Sequence, residues 1–233
     1  MNLLDIKNLT LEIETTNGWV KALDKINLTI AESEIRALVG ESGSGKSLIV
    51  KSIVGTLNEN WRLTADRLNW KGNDLLSMSK QERTNATKDD IAVIFQNPVS
   101  SLDPTASLGE QLEETIPDHL LGKGWFWQRH QRRKQIVTRQ LHKVGIKNHE
   151  LCLNSFPHQI RDDVCQKFMI AMALVSEPKL LIADEPTMGM ETTVKSQILK
   201  LLSRLNQTRS LSILFVSHDL LAISSMSHTM TVL

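Results

Sequence analysis

Tyrosine is absent from these 233 residues, so any ring that stacks on a ligand must come from the five Trp, the five Phe or a histidine. Cysteine is nearly absent too. Cys152 and Cys165 are the only two; they make no disulfide framework, no metal-ligand spacing surrounds them, and a reducing cytosol fits. Charge of one sign is also lacking: 27 Lys+Arg stand against 26 Asp+Glu, so net charge gives no argument for a nucleic-acid partner. The N-terminus has Asp5 and Lys7 inside an alternating pattern and therefore no apolar signal core. The longest apolar run, ending at Val175, is far short of the roughly 20 residues that span a bilayer. Membrane association is therefore expected to come through another protein. Internal repeats and low-complexity tracts are missing. What remains is an ordinary globular composition, 41% hydrophobic and 23% charged, long enough for a large core in one domain or two closely joined subdomains.

Leu9, Leu11 and Ile13 alternate with polar residues, as do Ile26, Leu28 and Ile30. This period of two predicts half-buried strands, and Asn17-Gly18 supplies turn chemistry between them. Ile35–Val39 reads as a strand running into a glycine-rich loop, and Leu48–Leu57 as a helix. Ile91–Phe95, Leu180–Ala183 and Ile213–Val216 have the length and β-branching of buried parallel strands. Strands alternating with helices imply an α/β sheet. Residues 100–175 lack such strands and read as a helical subdomain inserted in a core formed by 1–99 and 176–233.

Gly40-Glu41-Ser42-Gly43-Ser44-Gly45-Lys46-Ser47 follows a predicted strand and precedes a predicted helix. Glycines let the backbone wrap closely, so successive N–H groups point at phosphate oxygens, and the helix N-terminus adds positive potential. In this pattern Lys46 reaches the β- and γ-phosphates of a nucleotide and the Ser47 hydroxyl ligates Mg²⁺. Further on, Leu180–Ala183 ends in Asp184 and Glu185. A carboxylate pair alone would read as a solvated loop. At the end of a buried strand, in a chain with a phosphate loop, Asp184 is placed to hold Mg²⁺ through water and Glu185 to polarise an attacking water.

Taken with these motifs, Gln96 in Phe95-Gln96-Asn97-Pro98 and His218 in Val216-Ser217-His218-Asp219 make the whole chain resemble the ABC-transporter ATPases. The stretch from Ile94 to Pro104 is similar to their oligopeptide and dipeptide importer branch. Asn60-Trp61, Thr64–Arg67 and Trp125-Phe126-Trp127 are most similar to the peptide-uptake ATPases of the Sap group. The resemblance implies a P-loop ATPase core of RecA-like α/β type, with an N-terminal antiparallel β subdomain and an inserted helical subdomain. It also implies an ATP- and Mg²⁺-dependent ATPase in which Glu185, His218 and Gln96 are catalytic and Ser47, Gln96 and Asp184 serve the metal. The implied partners are transmembrane permease subunits, a second ATP-binding subunit and, indirectly, a periplasmic peptide-binding protein, with no nucleic acid. The implied place is the cytoplasmic face of the inner membrane.

The pattern breaks where the family carries Leu-Ser-Gly-Gly-Gln, a segment that contacts the γ-phosphate of ATP held by the opposite subunit. This chain has Ile160-Arg161-Asp162-Asp163-Val164 there. Asp162 and Asp163 are expected to cap the following helix themselves and to present negative charge towards a polyanion. Met188-Gly189-Met190-Glu191 stands where the family prefers Ser-Ala-Leu-Asp, in a loop that couples the two sites. An intact own site beside a damaged donated one implies an asymmetric heterodimer whose partner has an intact signature. The alternatives are a hydrolysis-impaired nucleotide-binding subunit and a non-transport ABC ATPase.

Trp19, about 20 residues before the phosphate loop, is the candidate for stacking on adenine; packing at a strand edge is the plainer reading. Residues 119–149 hold eight Lys/Arg and no Asp/Glu, with Trp125, Phe126 and Trp127 at one end. The plainer reading is a solvated helix with a small aromatic anchor, and the functional one is proximity to the membrane partner or to lipid headgroups. The C-terminus at Leu233 falls inside an expected strand and reads as truncated, which would leave a sheet edge exposed.

Overall fold

A computed structural model of the protein describes residues 2–233. The chain opens with two long strands, β1 (Asn2–Thr15) and β2 (Gly18–Ala31). They form an antiparallel hairpin that closes at Thr15 opposite Gly18, with Gly18 at φ 105° in the turn. Their alternating apolar residues bury one face: Leu4, Ile6, Leu9, Leu11, Leu28 and Ile30 are all buried. β3 (Ile35–Val39) then leads into the glycine-rich loop and α1 (Lys46–Val54). The helix is shorter than the expected Leu48–Leu57 at its C-terminal end because Gly55, in the left-handed conformation at φ 85°, stops it. Three short strands that the pattern did not reveal follow: β4 (Trp61–Thr64), β5 (Arg67–Trp70) and β6 (Asn73–Asp74). β4 and β5 pair one after the other with successive stretches of the free edge of β1, and β6 pairs with β5.

After α2 (Lys80–Thr87), started by a Ser79–Glu82 capping box, comes β7 (Ile91–Ile94). The next stretch is helical among the described residues: α3 (Pro98–Ser101), α4 (Leu108–Glu114), α5 (Asp118–Leu121), α6 (Phe126–Lys143), α7 (His149–Leu153), a 3₁₀ turn at Pro157–Gln159, and α8 (Asp162–Ala173). Asn97 with Pro98 starts α3, and a Ser107–Glu110 capping box starts α4. The chain returns to the sheet with β8 (Leu180–Asp184), α9 (Thr192–Arg209), β9 (Ser212–Ser217), α10 (Leu220–Met226) and β10 (Thr229–Val232).

The second sheet is wholly parallel, in the order β10-β3-β9-β8-β7. Both of its faces are covered, which is why its strands are continuously apolar rather than alternating. Leu181, Ala183, Ile213 and Phe215 pack with Phe168, Ile170, Ile198 and Leu202 on the helical side. Leu180, Ile182, Leu214 and Val216 pack with α1 and the antiparallel sheet on the other. The carboxyl ends of β3, β8 and β9 therefore emerge side by side, and the candidate residues sit on the loops that leave them.

Candidate nucleotide site

The loop from Gly40 to Ser47 turns where a side chain has no room. Gly43 and Gly45 have φ of 85° and 96°. A Cβ on Gly45 would lie 2.5 Å from Leu23 Cδ2, and one on Gly40 would strike the Ser44 hydroxyl. Gly45 caps α1 without any side-chain bond, and no acidic residue occupies the helix's first turn. Its N–H groups thus keep their positive potential for an anion. Lys46 is 8% exposed and folds back over the loop, donating from Nζ to Gly40 O at 2.7 Å and Glu41 O at 2.8 Å.

The Ser47 hydroxyl donates to Asp184 Oδ2 at 2.9 Å, joining the start of α1 to the end of β8 across 137 residues of chain. Burial pushes the Asp184 carboxyl above its ordinary value, and the Glu185 charge acts in the same direction; the Ser47 hydrogen bond and Lys46 oppose them. A hydroxyl and a carboxylate side by side are hard oxygen donors of the type Mg²⁺ accepts. A cation there would relieve the buried carboxylate, so the residues fit the ion.

Glu185 holds φ 48°, a conformation few non-glycine residues adopt. Its N–H donates to Val216 O at 2.9 Å, which locks the turn onto β9. Its carboxylate accepts from the Ser217 hydroxyl at 3.3 Å and from the His218 N–H at 3.1 Å, and lies 2.7 Å from His218 Nδ1. Ser217 was not singled out by the sequence; its position in a Ser-His pair after a buried strand was the available signal.

Gln96, Trp19 and Asp163 of α8 have partners that the sequence pattern did not show. Gln96 lies on the exposed turn after β7 with Nε2 2.6 Å from Met188 Sδ, so its contact is with the loop after the carboxylates rather than with Ser47 or Asp184. Trp19 sits on β2 opposite Glu14, with the Arg62 guanidinium 4.4 Å from its ring centre. Leu23, four residues further along the strand, meets the phosphate loop at Gly45 together with the Ala22 carbonyl. Asp162 and Asp163 do not cap α8. Arg161 is the N-cap residue, with no side-chain cap bond. The two acids occupy the first turn, where they complement the helix dipole, and Asp163 Oδ1 accepts from Arg161 Nε at 3.0 Å. A cleft of about 910 Å³ lies between this helix start, the Gln96–Pro98 turn and the Met188–Glu191 loop.

A phosphate loop set against the ends of two parallel strands, with an antiparallel sheet on one side and helices on the other, defines the ATP-binding-cassette fold. Residues 23–188 match the ABC transporter family profile, and the chain belongs to that family. It is 50% identical over 233 residues to the peptide transport system ATP-binding protein SapD of Salmonella typhimurium, covering all of this chain and 70% of that one. It is 35% identical to the dipeptide transport ATP-binding protein DppD of Escherichia coli K12, again over the whole chain and over 69% of that protein. The dimeric post-hydrolysis cassette MJ0796, bound to ADP and Pi, superposes with a TM-score of 0.83 at 25% identity, over 99% of this chain and 94% of that one. Among the described residues no helix is long and apolar enough to cross a membrane.

Proposed function

We propose that this chain is the ATP-binding and hydrolysing subunit of a peptide importer. In this reading it works at the cytoplasmic face of the inner membrane on transmembrane permease subunits, with a periplasmic peptide-binding protein engaged indirectly. It forms one half of an asymmetric ATPase pair. Residues 1–99 and 176–233 act as the ATPase core and 100–175 as the helical subdomain. The likeness to SapD and DppD supports peptides as cargo. The observation that carries ATP binding is the 2.9 Å link between Ser47 on the phosphate loop and Asp184 on β8.

Each residue's part follows from its surroundings. Lys46 exchanges two backbone carbonyls for the β- and γ-phosphates, a move that needs only side-chain rotation. Ser47 and Asp184, with Gln96 once it leaves Met188, would hold Mg²⁺, which would neutralise charge on the phosphates. Glu185 orients and polarises the attacking water. His218 and Ser217 fix its carboxylate, and His218 turns to the γ-phosphate when nucleotide is bound. Phosphoryl transfer asks mainly for such positioning and charge. Trp19 offers the ring face not covered by Arg62 to adenine.

The second reading, a nucleotide-binding subunit with little turnover of its own, draws on one feature. The start of α8 carries two carboxylates and an arginine turned onto one of them. Both readings require ATP binding through the loop. Lys46→Ala removes a charge-assisted contact of about 1.5–3 kcal/mol, so affinity for a fluorescent ATP analogue is expected to fall about tenfold to a hundredfold, with circular dichroism unchanged. Equal affinity in the two proteins would mean that the loop is not used in this way.

A further inference from the structure

The tip of α6 presents a surface that the nucleotide site does not use. Trp125, Phe126 and Trp127 are 83%, 75% and 76% exposed. They occupy the N-cap and first two positions of an 18-residue helix. The tip is ordered: the Trp125 N–H donates to Gln128 Oε1 at 3.2 Å, Phe126 stacks on His130 and meets Trp127 edge-on at 5.8 Å. Three adjacent large rings in water are costly to keep unless something covers them.

The arrangement says what kind of partner fits. Successive helix positions are about 100° apart, so these rings fan around the helix end. A groove on a protein takes one stripe, at spacings of three and four; a bilayer interface accepts rings on every side. Tryptophan is also the residue enriched at that interface. The charge agrees. Residues 119–149 contain no acid. Arg129 is paired with Asp118 at 2.6 Å and Arg132 is turned onto the Leu121 carbonyl. Lys123 and Lys134 make no ion pair among the described residues, which leaves both free for an external anion. We propose that the tip of α6 is a membrane-interface anchor. Its three rings enter the headgroup layer while Lys123 and Lys134 meet the phosphates of anionic phospholipids. This inference rests on exposure and charge and is independent of the nucleotide reading.

The test is sedimentation of the purified full chain with vesicles of phosphatidylglycerol and phosphatidylcholine, against phosphatidylcholine alone. Binding to the anionic vesicles is expected to be at least about tenfold tighter than to the neutral ones and to weaken at about 0.5 M NaCl. The triple variant Trp125→Ala, Phe126→Ala, Trp127→Ala is expected to lose at least about tenfold of that binding, with its melting temperature and ATP-analogue affinity unchanged. The pair Lys123→Gln, Lys134→Gln is expected to lose the preference for anionic lipid. Brominated lipid is expected to quench the native tryptophans but not those of Trp125→Phe, Trp127→Phe. No binding to anionic vesicles, equal binding to neutral ones, or a triple variant that binds as well as the native chain would overturn the proposal. So would a triple variant that fails only to assemble with permease subunits, because the surface would then serve a protein.

Discussion

Gly45 is where the phosphate loop is decided at the scale of one residue. Its φ of 96° and the 2.5 Å approach of Leu23 Cδ2 to any added Cβ act together. Gly45→Ala is therefore expected to destabilise the fold by about 1–3 kcal/mol in chemical denaturation and to abolish ATP-analogue binding. Adding Leu23→Ala relieves the collision but not the backbone strain, so stability should recover in part while binding stays lost. Full recovery of both would place the whole effect in the collision. This loop was legible in the sequence because wrapping a backbone around phosphate demands glycines, a lysine and a serine at fixed spacing. The same holds for Asp184 and Glu185 at the end of an apolar strand. Ser217 against Glu185 and Met188 against Gln96 were not legible. Their partners are 32 and 92 residues away in the chain, and nothing local in composition encodes such a contact. Leu23 lies outside the alternating run of Ile26, Leu28 and Ile30, and its place against Gly45 depends on how two sheets meet.

At the scale of elements, α10 sets the position of His218 through its N-cap residue. Asp219 caps the helix, accepting from Leu221 N and Ala222 N at 3.1 Å each, and pairs with Lys195 Nζ at 2.8 Å. Asp219→Ala is expected to cost about 1 kcal/mol of stability and to weaken hydrolysis more than binding, since the residue before it contacts Glu185. The Lys195 hydrogen bond first, then the Ala222 N–H, hold the Asp219 carboxyl below its ordinary value. A carboxyl lowered by folding contributes fully above its unfolded value and loses that contribution as pH falls through the lowered one. The difference between native and variant in urea denaturation should therefore be full at pH 7 and shrink in strong acid. An unchanged difference at low pH would remove the carboxylate from the account. The long hairpin and the parallel strands were legible from period two and from short β-branched runs. The strands β4 to β6 were not, because two to four residues are too few for a period and β4 and β5 pair with β1, far back in the chain. The end of α1 was misplaced for a local reason, the left-handed Gly55.

At the scale of the whole molecule, two parts of one chain differ in kind. Ser47 is hydrogen-bonded to Asp184 and His218 to Glu185, whereas α8 opens with Asp162 and Asp163. Under the proposed function this helix start faces the γ-phosphate held by the other subunit. A homodimer would then set acids against both nucleotides, and the purified chain is expected to turn over ATP slowly in a steady-state phosphate-release assay. Brisk turnover would contradict this. The cassette architecture was legible from motif order alone. The Arg161–Asp163 contact was not, because it depends on where the helix begins.

The most direct measurement repairs the segment. Two unit charges about 4 Å apart interact by about 4 kcal/mol at an effective dielectric near 20, enough to oppose closure over a γ-phosphate. The repaired chain carries Ile160→Leu, Arg161→Ser, Asp162→Gly, Asp163→Gly and Val164→Gln. Both it and the native chain also carry Glu185→Gln, so that bound ATP persists. Sizing chromatography with Mg-ATP is predicted to show the repaired chain as a dimer and the unrepaired one as a monomer. If both bind ATP and both remain monomeric, or if the unrepaired chain dimerises equally well, the proposal that the acids at the start of α8 impair the donated half-site fails.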